Sequence, residues 1–258
     1  MKSDQTNNRK NLMDSKEKKA IIVGATSGIG YEVAMLLLKK GWRLGIAGRR
    51  KDKLENIRDK DPDRISICVI DIRKENAGQE LLHLIEETGG MDLYLHSSGI
   101  GHQNTNLDLK IELDTLETNG TGFTRMVTTA FHYFRKQGKG HIAVISSIAG
   151  TKGLGVAPSY SATKRFQNTY IDALEQLAHM QKMDITFTDI RPGFVATAIL
   201  NDHKHYPLLM QPEKVANSIV EGLYRRKRIL VIDWKFCILV FFWKLIPSYI
   251  WKRLPIRN

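Results

Sequence analysis

A serine, a tyrosine and a lysine stand at positions 147, 160 and 164, within SIAGTKGLGVAPSYSATK. A four-residue step along a helix puts Tyr160 and Lys164 on one face, where an ammonium beside a phenol favours the phenolate and draws its pKa toward neutrality. A phenol tuned in this way passes a proton to or from a substrate oxygen, and a nearby serine hydroxyl holds that oxygen by a hydrogen bond. Taken alone, the spacing also suits an aromatic that merely packs a helix. Its meaning depends on the elements that position it.

Residues 18–30, KKAIIVGATSGIG, form a short apolar run followed by glycines at 24, 28 and 30 and then an amphipathic stretch to Lys40. A buried strand, a glycine turn and a helix in that order make a phosphate site, because the backbone can approach a pyrophosphate at the positive end of the helix. A second strand, 43–47, ends in GRRKDKLE, where an acid would be expected to hold an unmodified ribose. Arg49 and Arg50 stand there instead. Cations are disfavoured at a helix start, so an anion such as a 2′-phosphate would offset them, and NADP is expected in preference to NAD; the alternative is a solvated basic turn. Asp71 follows a third strand and suits either an adenine contact or a turn cap. Asn119 lies in a helical stretch, 109–137, whose Gly120 and Gly122 predict a kink or a close approach. The strand HIAVISS then delivers Ser146 and Ser147 to its carboxyl end, where open α/β sheets bind ligands.

These alternations predict one α/β domain with a doubly wound parallel sheet of about seven strands over residues 18–233, a polar arm at 1–17 and an apolar, basic extension at 234–258. Two separated cysteines, Cys68 and Cys237, suggest reduced thiols in the cytoplasm, and the eight histidines show no metal-ligand spacing. The formal charge of +12 is concentrated late in the chain, with nine basic residues against one acid from Arg225 onward, and this argues against nucleic acid as the partner. The extension interleaves Trp234, Trp243, Tyr249 and Trp251 with lysines and arginines around an eight-residue apolar run, 236–243. That run is too short to span a bilayer. It reads as a peripheral contact with an anionic membrane surface, or as aromatics folded over the cleft or forming a subunit interface; these can coexist.

The chain resembles the short-chain dehydrogenase/reductase family from about residue 18 to residue 233. Gly24, Gly28 and Gly30 match its glycine turn; Asn119, Ser147, Tyr160 and Lys164 match its catalytic tetrad; Pro192, Gly193 and Thr197 match its PGxxxT segment. The resemblance implies a cofactor contact set of Gly24, Thr26, Ser27, Gly28, Ile29, Gly30, Arg49, Arg50, Asp71, Ile72, Gly99, Tyr160, Lys164, Pro192, Gly193, Val195 and Thr197. It implies hydride transfer between NADP(H) and a ketone or secondary alcohol, Tyr160 acting as acid or base, Asn119 anchoring a water in the proton path, Ser146 as a structural neighbour, and a homodimer or homotetramer. Val23 in place of threonine and HSSG in place of NNAG at 96–99 depart from the family pattern and bear on cofactor support. Apolar residues around the cleft, among them Leu154, Val156, Phe194, Ile199, Leu200 and Met210, suit a sterol or long-chain keto lipid. The rival readings are an NADP-binding redox sensor and a membrane-surface scaffold, both without turnover.

Overall fold

The computed structural model describes residues 17–197, 200 and 206–256; the substrate-loop candidate Ile199 lies outside them. Seven parallel strands form one sheet: β1 (Lys19–Val23), β2 (Arg43–Gly48), β3 (Ile65–Val69), β4 (Leu93–His96), β5 (Lys139–Ile145), β6 (Asp184–Arg191) and β7 (Ile229–Val231). Their order is β3-β2-β1-β4-β5-β6-β7, so the winding reverses between β1 and β4 and opens a crevice at the carboxyl ends.

Because side chains alternate across a strand, each strand feeds two cores. Ala20 and Ile22 of β1 pack with Val33, Ala34 and Leu37 of α1 (Gly28–Lys39), with Leu54 of α2 (Lys51–Arg58) and with Val215 and Ile219. Ile21 and Val23 face the opposite layer, formed by Leu81 and Leu84 of α3 (Ala77–Glu87), Phe123 and Phe134, and Ile171. The sheet is therefore covered on both faces, which explains its continuous apolar strands.

The long helical stretch 109–137 is three pieces: α4 (Leu109–Leu116), a π-helical turn (Glu117–Gly122) and α5 (Phe123–Gln137). The kink expected from its glycines is this π turn, and it carries Asn119. At Gly122 a Cβ would lie 2.9 Å from Ile72 Cγ1 and 3.0 Å from the Ile72 carbonyl, so only glycine lets the turn sit against the loop after β3. A 3₁₀ turn (Ile148–Thr151) leads to α6 (Pro158–Met180), and α7 (Pro212–Tyr224) returns over the first face. Beyond β7, Asp233 caps α8 (Trp234–Leu245) by accepting from Lys235 N at 2.9 Å, and α9 (Ser248–Trp251) follows. β7 ends at Val231, just before this cap.

Candidate active site

The end of β5 presents two serines in different settings. Ser146 is buried; its hydroxyl donates to Asp189 Oδ1 and accepts from Asn168 Nδ2 at 2.9 Å. Asp189, fully buried on β6, also takes Asn168 Nδ2 at 2.9 Å and both Nε and Nη2 of Arg191 at 2.8 and 2.6 Å. Ser146 is thus tied into a closed polar network beneath the crevice. Ser147 points along the loop instead, with Ala149 N donating to its hydroxyl at 3.1 Å.

Tyr160 and Lys164 share a face of α6, as their spacing requires. The ring of Tyr160 lies against Gly101, where a Cβ would meet Tyr160 Cδ2 at 2.6 Å, and Lys164 Nζ stands 5.7 Å from the ring centroid. The ammonium binds elsewhere, donating to the Ile145 carbonyl at 3.0 Å and to Gln167 Oε1 at 3.1 Å. Gln167 Nε2 in turn donates to the Asn119 carbonyl at 2.9 Å. The Asn119 carboxamide is held across the crevice by Ile100, accepting from its N at 2.9 Å and donating to its carbonyl at 2.7 Å.

This arrangement corrects the expected pKa of the phenol. Tyr160 keeps some exposed surface, yet enough protein surrounds its hydroxyl for desolvation to push it above the ordinary tyrosine value, with the nearby Ser147 hydroxyl opposing in part. Burial likewise lowers Lys164 to about 8, while the Asp189 carboxylate pulls it up. Desolvation outweighs the attraction of the lysine charge because the ammonium is directed at a carbonyl and an amide. His96 is fully buried and lowered to about 3, chiefly by burial, so it stays neutral beside Tyr94.

The glycine turn meets the same crevice. Gly24 has φ +94° and a Cβ there would lie 2.5 Å from Ser98 N; one at Gly30 would lie 2.3 Å from the Gly24 carbonyl. Ser97 fits against Gly30, and Gly24 N donates to the Ala47 carbonyl at 2.8 Å, which braces the turn from the backbone. At the start of α1 the Ser27 side chain caps nothing. Arg50 holds it instead, donating to Ser27 Oγ at 2.7 Å and to Thr26 Oγ1 at 2.6 Å. Uncapped N–H groups from Ile29 onward and a cradle with no room for side chains fit a dinucleotide pyrophosphate, with the Arg50 guanidinium at its rim. Arg49 is exposed and acts on Asp71 through its charge.

Thr197 closes over this cradle, its Cγ2 3.1 Å from where a Gly28 Cβ would stand, and Val195 is pinned by a bridge to Met210. Gly99 sits beside the tetrad, its Cβ position 3.2 Å from Asn119 Oδ1 and 3.6 Å from Lys164 Nζ. Pro192 receives Ile148 N on its carbonyl at 3.1 Å. Asp71 behaves as a turn cap: Arg73 N donates to it at 3.1 Å and Arg73 Nη2 at 2.9 Å, and this pairing holds its carboxyl below the usual range. Its expected adenine contact would have to compete with that pairing. Gln167 and Asp189 were not singled out from the sequence. Gln167 lies seven residues from Tyr160 and three from Lys164, so helix spacing alone could have found it.

Residues 18–206 match the family model for short chain dehydrogenase. Among curated proteins, the chain is 28% identical to dehydrogenase/reductase SDR family member 7B of Xenopus tropicalis, over 92% of this chain and 84% of that one. It is 30% identical to an uncharacterized oxidoreductase of Staphylococcus aureus strain MRSA252, over 83% and 94% respectively. In fold it is similar to a crystal structure of a variant actinorhodin polyketide ketoreductase with NADPH (TM-score 0.73, 24% identity, 84% of this chain and 95% of that one). It is also similar to a closed form of serine dehydrogenase complexed with NADP+ (TM-score 0.75, 22% identity, 83% and 94%). The chain belongs to the short-chain dehydrogenase family and is an oxidoreductase of that family.

Proposed function

We propose that this oxidoreductase interconverts a ketone and a secondary alcohol with NADP(H), working chiefly as a reductase. The observation that carries the reading is the convergence, at the carboxyl end of the sheet, of the Tyr160 phenol and the neighbouring Ser147 hydroxyl with Lys164 on the same helix face and Asn119 opposite. A bound reduced nicotinamide supplies the hydride. Ser147 orients the substrate oxygen, and Tyr160 delivers its proton to that oxygen as the carbonyl becomes an alcohol. A phenol pushed upward by burial is protonated at neutral pH, which supports donation over abstraction. The Tyr160 phenolate regains its proton at the expense of the Lys164 ammonium, which the Ile145 carbonyl and Gln167 hold in place and which solvent re-protonates.

Lys164 gives this scheme a pH signature. Reduction is expected to hold level at neutral pH and to fall above about 8, where Lys164 loses its proton. Gln167→Leu removes an acceptor that favours the ammonium, so the inflection should move to lower pH; Gln167→Glu should move it higher. Profiles of kcat against pH for the three proteins check this. A uniform loss with unmoved inflections would reduce Gln167 to a packing role.

The NADP preference is supported by Arg50 over the glycine turn and Arg49 beside Asp71. Arg49→Ala and Arg50→Ala should each lower the NADPH-to-NADH ratio of kcat/KM, by about tenfold for a charge-assisted contact. A ratio unchanged in both variants would refute the preference. The ketoreductase and serine dehydrogenase named above were solved with NADPH and NADP+, which agrees with this choice. The apolar neighbourhood of Phe194, which packs against Tyr206 and Phe236, favours a hydrophobic ketone such as a sterol or long-chain keto lipid. A second copy of the chain would cover the open groove of about 710 Å³ lined by Leu116, Ala162 and Phe166. Ketone-dependent NADPH oxidation separates this enzyme from a sensor or a scaffold.

A further inference from the structure

α8 carries two apolar stripes at helical spacing. Phe236, Leu239, Val240 and Trp243 face the protein, while Trp234, Ile238, Phe241, Phe242 and Leu245 face outward and are exposed. The inner stripe is firmly seated. Phe236 is 1% exposed, and its ring occupies the space over Gly193, where a Cβ would lie 2.3 Å from Phe236 Cζ. Trp251 Nε1 donates to the Gly153 carbonyl at 2.7 Å, and Lys152 Nζ donates to the Ile246 carbonyl at 2.9 Å. These contacts tie α8 and α9 to the loop that follows Ser147 and to the PG segment. The outer stripe therefore cannot turn inward without dismantling that packing, and a surface helix that is apolar on both sides needs something to cover its outer side.

We propose that the outer face of α8 and α9 docks in the headgroup region of an anionic membrane, lying in its plane. Phe241 and Phe242 are 59% and 58% exposed, and Tyr249 and Trp234 add aromatic rings of the kind that settle at an interface. Lys235, Lys244, Lys252 and Arg253 are exposed around them. The one acid of residues 229–258, Asp233, is occupied in capping α8. Such a surface complements anionic lipid. A two-fold contact with a second copy would set this basic rim against itself, because an isologous interface pairs the same patch on both subunits. Among the described residues no helix is long and apolar enough to cross a membrane, so the element lies on the bilayer. Docked this way, the membrane element is separated by the Phe236 ring alone from Gly193 and packs on Ile148, the residue after Ser147, a location suited to substrates that partition into lipid.

The test is flotation of the full-length protein with vesicles of phosphatidylcholine alone or mixed with phosphatidylglycerol, at low and high salt. The vesicles contain no ketone and the readout needs no cofactor, so the result is independent of the proposed reaction. Binding is expected to the mixed vesicles and to weaken with salt. Phe241→Ser with Phe242→Ser should lower partitioning about a hundredfold, from the apolar area withdrawn from lipid. Lys244→Glu with Lys252→Glu should erase the preference for phosphatidylglycerol, and both double variants should melt with the wild type. Failure of the wild type to float with either vesicle would overturn the proposal. So would equal binding by the phenylalanine variant, or a dimer in analytical ultracentrifugation that the same variant dissolves without any vesicle binding, which would assign the face to a second copy.

Discussion

Tyr160→Phe is expected to lower kcat for ketone reduction by about a hundred- to ten-thousand-fold, the usual range for removing a positioned acid. The substitution deletes one oxygen and leaves the ring where Gly101 and Lys164 Nζ enclose it. Melting temperature should therefore stay as in the wild type, and the loss should persist at saturating NADPH. That separation makes the result decisive: a loss under about tenfold at saturating ketone would mean that another group or solvent supplies the proton. Ser147→Ala should also slow the reaction, through the orientation of the substrate oxygen. Its effect and that of Tyr160→Phe should not add, since the two neighbouring hydroxyls act on one oxygen.

The largest expected loss of stability is at Asp189. Its carboxylate is fully buried and serves Arg191, Asn168 and Ser146 together. Asp189→Ala would strand the Arg191 guanidinium, itself only 7% exposed, without a counter-charge. Removing one partner of such a pair costs about 3–5 kcal/mol, a large part of the roughly 5–15 kcal/mol that holds a domain together. Urea denaturation should show the fall in midpoint. Replacing both residues, Asp189→Leu with Arg191→Met, should restore most of it, because no unpaired charge then remains buried. A double variant as unstable as the single one would mean that the hydrogen bonds to Ser146 and Asn168 dominate.

Asp189→Ala should also shift the pH profile. The carboxylate raises Lys164, so its loss should take the lysine below its present value of about 8 and move the fall in reduction rate toward neutrality. The stability linkage has a defined sign. Lys164 is depressed in the folded protein and titrates near 10.5 when exposed, so between about 8 and 10.5 the unfolded chain binds more protons. Its contribution to stability therefore rises with pH through that window. Below it, both states are protonated and the folded state carries the desolvation cost.

Much of this protein follows from local pattern alone. Apolar runs bounded by turn residues marked the parallel sheet of about seven strands, the glycines at 24, 28 and 30 marked the tight turn between β1 and α1, and a four-residue step placed Tyr160 and Lys164 on one helix face. These features depend on neighbours within a few residues, and strand and helix periods are local properties. The tertiary structure decided the rest. It turned Lys164 toward Ile145 and Gln167, gave Asp71 to Arg73, and seated one stripe of α8 on Gly193 while leaving the other outside. It also raised the phenol that spacing alone would have lowered. The reason is physical: desolvation and hydrogen bonding depend on atoms from segments far apart in the chain, brought together only when the sheet closes its two cores, and no periodicity in a single segment records them.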